Sequence, residues 1–145
     1  MVWEGKKICG ILVEMSAEMN AIHYLVIGCG INANMTEFPE ELKEKAISLR
    51  MITGAEVDRA QIIQRSLEWL EKFEETSDMS GLMEEYNQML VNRGSEVCVL
   101  DPCGEYRGRA LGINDAGELL VEKEDGTTEN VYAGEVSVRG VYGYV

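Results

Sequence analysis

Residues 26–35 read "VIGCGINANM" and contain the spacing Gly28-x-Gly30-x-x-Ala33. This fits the loose form of a dinucleotide-binding fingerprint, in which glycines let the backbone approach a pyrophosphate at a helix N-terminus. The chemistry would be NAD or FAD binding by an oxidoreductase. The fingerprint needs a strand, the glycine turn and then a helix. The apolar run of residues 21–31 supplies the strand. The helix is missing, because Ala33 is followed by "NMTEFPE", where Thr36 and Pro39 interrupt any helix starting at the turn. Glu56 stands near the distance of a ribose-binding acid, but a lone acid at that spacing carries little weight. NAD or FAD in the purified protein would be the mark of this reading.

Other reactive types are sparse. The cysteines are Cys9, Cys29, Cys98 and Cys103, none in C-x-x-C spacing, and His23 is the one histidine. A zinc site is not expected, and no metal-binding residue is assigned. Cys9 and Cys29 sit inside apolar runs, where a free thiol is usually a small core residue. The chain carries 13 basic and 26 acidic side chains, for a formal charge of −13. Residues 37–85 hold 13 acids and six bases, and residues 94–145 hold ten acids and four bases. Such a surface repels phosphate backbones, which argues against nucleic-acid binding. Apolar runs stay short of the roughly 18 residues of a membrane span. "MVWEGKKICG" is not a signal peptide, since lysines stand where its apolar stretch belongs. The expectation is a cytoplasmic protein with reduced thiols.

The elements that would position these residues can be read from periodicity. "ICGILVEM" (8–15) and "AIHYLVIGCGI" (21–31) read as buried strands. The link of residues 16–20 is too short for a parallel crossover, so the pair is expected to be an antiparallel hairpin. After Pro39, helix formers run to Gly54, a natural stop. Ile63, Leu67, Leu70 and Phe73 recur at helical steps, with Asp58 as N-cap. Met79, Leu82, Met83, Tyr86, Met89 and Leu90 form a second stripe, read as core filler and ended by Gly94. From there the pattern is β: "EVCVL", "EYRGRALGI", "ELLVEKE", "TENVY" and "EVSVRGVYGYV". Their separators are Asp101-Pro102, Asn114 to Gly117 and Asp125-Gly126. Short strands at this spacing predict a small barrel, with a boundary near Arg93-Gly94.

Gly10, Gly28 and Gly30 fall in the two hairpin strands. A glycine in a strand weakens it unless a ligand or another backbone comes close. Two readings remain open at this point: a slot against the sheet, or bulges and tight strand packing.

"GKKICGILVEM", "VIGCGINANM" and "GEVSVRGVYGYV", in that order, resemble the second half of a biotin protein ligase. The family's Lys-x-x-Gly-Ile-Leu strand, Gly-x-Gly-Ile-Asn strand end and closing SH3-like barrel segment correspond to them. The resemblance covers essentially the whole chain. It implies an enzyme family, biotin--[acetyl-CoA-carboxylase] ligase, that makes biotinyl-5′-AMP from biotin and ATP, with Mg²⁺ accompanying ATP. The family then transfers biotin to one lysine of a carboxylase's biotin carrier domain.

The resemblance also implies roles. Lys7 matches a lysine that contacts the biotin carboxylate and the acyl-phosphate, where a fixed cation assists positioning and charge stabilisation. On its own, Lys7 reads as a solvated strand-end lysine, and Lys6 does not match the spacing. Gly10, Ile11, Leu12 and Gly28 match the apolar wall for biotin. Gly30 and Asn32 match the nucleotide side, where an amide suits adenine; alone, Asn32 could make an Asx turn. Arg139 matches an arginine reaching from the barrel toward the nucleotide, and alone it would be a barrel-surface arginine. Residues 35–50 fall at an adenylate-covering loop. Relatives often read Ala-Thr-Ser-Leu there, whereas this chain reads Ala46-Ile47-Ser48-Leu49, and Ile47 is assigned no contact.

The expected fold is α+β. Residues 1–93 are expected to be the C-terminal part of a mixed-sheet catalytic domain, an antiparallel hairpin plus helices. Residues 94–145 are expected to be a small SH3-like β-barrel. The family's Gly-Arg-Gly-Arg-x-Gly-Arg phosphate loop, the polar residues for the ureido ring and the Lys-Trp-Pro-Asn-Asp segment have no counterpart in these 145 residues. The expectation is therefore a ligase fragment, inactive alone, without the helix-turn-helix that lets some relatives bind DNA. Exposed strand edges would favour self-association or pairing with the missing half. The competing reading is a non-catalytic module that docks a protein partner through an SH3-like barrel.

Overall fold

The computed structural model describes residues 1–18, 21–74, 81–101 and 104–132, and the backbone of 137–139. Met79, Pro102, Cys103, the side chain of Arg139 and residues 140–145 of the last apolar segment lie outside the described residues. The chain divides into two compact units, Met1–Leu67 and Glu68–Val145.

In the first unit, β1 (Val2–Trp3) and β2 (Lys6–Lys7) form a minimal antiparallel pair, Val2 opposite Lys7. The turn between them places Glu4 and Gly5 at positive φ (45° and 79°). β3 (Cys9–Glu18) and β4 (Ala21–Ile31) form the expected hairpin, with β3 ending three residues beyond its apolar run. The register slips once, between Ser16 and Ala17. Of its twenty-one strand residues, Cys9 alone is buried, and Ile11, Leu12, Met15, Ile22 and Tyr24 are each about 60 % exposed.

Residues 32–39 hold no helix, as the glycine argument required, and a single 3₁₀ turn spans Glu40–Leu42 behind Pro39. The helix expected from Pro39 to Gly54 is interrupted. Residues 45–47 are drawn out beside β2, where Ala46 makes a parallel bridge to Lys7. Helix α1 (Leu49–Thr53) begins only after that bridge. Ser48 caps it, and Gly54 ends it in the left-handed conformation (φ 74°). Helix α2 (Arg59–Glu74) crosses the division between the units. Asp58 Oδ1 accepts from the Ala60 and Gln61 amides at 2.8 and 3.4 Å, as expected of an N-cap.

The second unit starts its own structure with α3 (Met83–Met89), shorter than the stripe that foretold it. Tyr86 and Met89 are exposed while Leu82, Met83 and Leu90 are half-buried, so the described part of that stripe is only partly packed. Strands β5 (Glu96–Asp101), β6 (Gly104–Ile113), β7 (Leu119–Lys123), β8 (Thr128–Val131) and β9 (Ser137–Arg139) follow. They form one antiparallel sheet ordered β8-β7-β6-β5-β9. Period-two alternation turns Val97, Val99, Ala110, Val121 and Val131 into its core, with Tyr106 and Leu119 packed against them. The expected turns at Asn114 and Asp125 are present, and the one that begins at Asp101-Pro102 runs outside the described residues. The Asn114 carboxamide accepts from the Ala116 and Glu118 amides, and the Asp125 carboxylate accepts from Thr127.

Asn87 ties α3 to β6. Its Oδ1 accepts from Ile113 N at 2.8 Å and its Nδ2 donates to Ile113 O at 3.1 Å, as a strand neighbour would. This is possible because Gly112 holds φ at 136°, beside a register shift between Ala110 and Gly112. A Cβ on Gly112 would stand 2.5 Å from Asn87 Oδ1. Gly112→Ala is therefore expected to destabilise the second unit by about 2 kcal/mol or more. A thermal melt checks this; an unchanged midpoint would contradict the packing described.

Candidate functional site

The hairpin's register decides which predicted residues share a face. Gly10 pairs with Gly30 and Leu12 with Gly28, whereas Ile11 pairs with Cys29. Directly opposed residues share a face and successive residues alternate. Gly10, Leu12, Gly28 and Gly30 therefore line one face, with Glu14 and Val26 following. The Ile11 side chain stands on the opposite face with Val13, Met15, Leu25, Ile27 and Cys29.

The glycines are not at a bulge, since the slip lies at Ser16/Ala17. Nor does crowding demand them at two of the three positions. A Cβ on Gly28 would sit 3.7 Å from Leu12 O, and one on Gly30 would sit 3.9 Å from Gly10 O, both ordinary contacts. What the missing side chains leave at 28 and 30 is open space over the strand. Gly10 is different. A Cβ there would meet the Lys7 Cε and Nζ at 3.2 Å, so the Lys7 side chain lies along Gly10. A cation thus stands at one end of a shallow glycine floor. Lys6 points elsewhere: its Nζ donates to Lys43 O at 2.9 Å and pairs with Glu44 at 3.6 Å.

Lys7 is held by its backbone. Its N–H donates to Lys45 O at 2.7 Å, and its carbonyl accepts from Ile47 N at 3.0 Å. The half-buried Asn32 adds a side-chain tie. Its Nδ2 donates to Lys7 O at 3.1 Å and to Ile47 O at 3.3 Å, and its own N–H donates to Ile8 O at 2.8 Å. The Asn32 side chain therefore ties the end of β4 to the Lys7 and Ile47 backbone. With both amide hydrogens directed to backbone carbonyls, Oδ1 is the atom that can face a ligand, and it can only accept. Within the segment of residues 35–50, Phe38, Ala46 and Ser48 are buried. Ser48 was passed over in the sequence, although a serine just ahead of a short apolar helix is an N-cap signal.

Arg139 lies on β9 opposite Cys98, in the second unit. The clear pKa shifts among the described residues also fall in that unit, at a surface turn. A side-chain hydrogen bond with Glu129 raises Lys123, and the Thr127 hydroxyl lowers Asp125. Both groups are solvent-facing partners of a hairpin, not members of the glycine floor. Three His, Cys, Asp or Glu side chains able to hold a metal do not converge anywhere among the described residues.

Residues 94–139 match the model of the biotin protein ligase C-terminal domain. The chain is 34 % identical over 139 residues to the bifunctional ligase/repressor BirA of Bacillus spizizenii, covering 92 % of this chain and 42 % of that protein. It is 33 % identical over 135 residues to the biotin--[acetyl-CoA-carboxylase] ligase of Mycobacterium tuberculosis, covering 91 % and 48 %. The chain thus spans less than half the length of these relatives. Among solved structures, the apo biotin protein ligase of Aquifex aeolicus superposes with a TM-score of 0.79 at 32 % identity, over 95 % of this chain and 61 % of that one. The same enzyme in complex with biotin and ATP gives 0.74 at 30 % identity, over 95 % and 58 %. The chain is thus similar to part of the biotin protein ligases, and its residues 94–139 match their C-terminal domain.

Proposed function

We propose that this chain supplies one wall of a biotin protein ligase active site. The reaction is formation of biotinyl-5′-AMP followed by transfer of biotin to a lysine of a carboxylase's biotin carrier domain. The observation that carries the reading is the Lys7 side chain along Gly10, at the end of the open floor made by Gly10, Gly28 and Gly30.

In the first step a biotin carboxylate oxygen attacks the α-phosphorus of ATP, and pyrophosphate leaves. Two anions meet and charge builds on the phosphoryl oxygens. A fixed ammonium at Lys7 lowers both costs. In the second step the carrier lysine amine attacks the acyl carbon and AMP leaves; the same ammonium can stay on the departing phosphate. Gly10 and Gly28 give the apolar ring and valeryl chain a stretch of strand without side chains, and Leu12 adds an apolar side chain on the same face. Ile11 takes part in this wall through its backbone, given its outward side chain. Gly30 and Asn32 serve the nucleotide, and the Asn32 Oδ1 acceptor suits the exocyclic amine of adenine. Arg139 is assigned to the nucleotide on the family resemblance alone. Mg²⁺ would travel with the ATP phosphates; no side-chain set of this chain is assigned to it.

We take residues 1–93 as catalytic-domain sequence and 94–145 as the SH3-like domain, and place the protein in the cytoplasm. No helix among the described residues is long and apolar enough to cross a membrane. DNA is not a partner of this segment, given its acidity. The exposed hairpin favours self-association or pairing with the remaining part of a ligase catalytic domain.

Light scattering of the pure 145-residue chain at micromolar concentration is expected to show association; a monodisperse monomer would contradict it. In calorimetry the chain is expected to bind biotinyl-5′-AMP saturably. Lys7→Ala should weaken that binding at least tenfold, the order expected for a lost charge-assisted hydrogen bond. No binding by the unaltered chain, or equal binding by the variant, overturns the assignment. Biotin-dependent pyrophosphate release by the chain alone is expected to stay far below that of a full-length ligase.

A further inference from the structure

Lys7 sits on a strand two residues long, too short to fix a side chain by itself. Three hydrogen bonds bind its backbone to what surrounds it: Lys7 N–H to Lys45 O, Ile47 N–H to Lys7 O, and Asn32 Nδ2 to Lys7 O; the same Nδ2 also donates to Ile47 O. The place of Lys7 is therefore the place of residues 45–47. That segment ends at Ser48, whose side chain is fully buried. Its hydroxyl donates to Met35 O at 2.5 Å and accepts from Met51 N at 3.1 Å. One hydroxyl thus joins the start of the 35–48 loop to its end and to the first turn of α1. On the same stretch, Leu49 N donates to Asn32 O and Arg50 N to Ala33 O, each at 2.9 Å. The loop is closed upon the end of β4.

We propose that Ser48 is a positioning residue, a clasp that closes the 35–48 loop and thereby holds Lys7 over Gly10. The chemistry Lys7 performs rests on the ligase reading; the clasp rests on the hydrogen bonds alone. A plain helix cap would need only the bond to Met51. The second bond, to Met35 across the loop, is what makes the residue more than a cap. Removing the hydroxyl leaves a part-buried carbonyl and a part-buried amide without this partner, and the loop can then relax toward solvent.

Two variants separate clasp from cap. Glycine is nearly as good an N-cap as serine but brings no hydroxyl, whereas threonine retains one. Ser48→Ala, Ser48→Gly and Ser48→Thr would be compared in the 145-residue chain. Lysine amines would be reductively ¹³C-methylated and read by NMR, with Lys123 in the second unit as internal reference. Amide exchange would be followed at Lys7, Ile47 and Met51. In the alanine and glycine variants the Lys7 methyl resonance should move toward the solvent-exposed lysines while Lys123 stays put. Exchange at Lys7 and Ile47 should rise roughly fivefold or more. Threonine should restore both readouts. Faster exchange at Met51 alone, with Lys7 unmoved in both the alanine and glycine variants, would reduce Ser48 to a cap and overturn the proposal. Neither readout requires biotin or ATP, so failure of the clasp is distinguishable from failure of the ligase reading, which the biotinyl-5′-AMP titration tests.

Discussion

The peptide group of Lys7 is the point on which the first unit turns. Its N–H and C=O are both taken by residues 45–47, and the Asn32 amide locks the same carbonyl to Ile47. This arrangement explains three features that look unrelated in the sequence. Asn32 ends β4 because its side chain must reach back to β2. The helix expected after Pro39 breaks because residues 45–47 are needed as an extended partner. Ser48 is buried because it closes the loop that provides that partner. Each backbone group so used satisfies a donor or acceptor that burial would otherwise make costly.

The hairpin poses the opposite problem. A two-stranded antiparallel pair is marginal in water, and this one carries apolar side chains on both faces. Strands that are apolar on both faces belong inside a layered sheet. The glycine floor shares a face with Leu12 and Val26, and the opposite face is apolar along its length. A ligand seated on the floor would be enclosed only if something lies across from it. That asymmetry between a finished Lys7 clamp and an uncovered sheet is what a single wall of a larger site should show. The matches to ligases more than twice the length of the aligned portion fit the same view.

Much of the fold was legible in the sequence. The hairpin, α2 with its Asp58 cap, the turns at Asn114 and Asp125 and the five C-terminal strands follow from periodicity and turn chemistry, which are local. The misjudged parts depend on distant partners. Residues 43–47 have helix-forming composition, yet the pairing with Lys7 overrides it, and nothing near them in sequence announces this. The stripe through Tyr86 and Met89 has the right period but is only partly packed, and the Asn87 carboxamide is a tie from α3 to β6 that its period does not announce. In the site, the glycines stood out by type and position, whereas Lys7 was singled out only by the family resemblance. Only the register separated Ile11 from Leu12 and gave Asn32 a backbone duty beside its assigned one.

The central claim is that Lys7, the glycine floor and Asn32 form one binding surface. Amide shift mapping of the isotopically labelled chain titrated with biotinyl-5′-AMP tests it most directly. The account predicts saturable shifts grouped at Lys7, Gly10, Leu12, Gly28, Gly30 and Asn32, with the turn at Lys123 and Asp125 unmoved. Shifts centred on that turn, or none at the glycine floor, would contradict it.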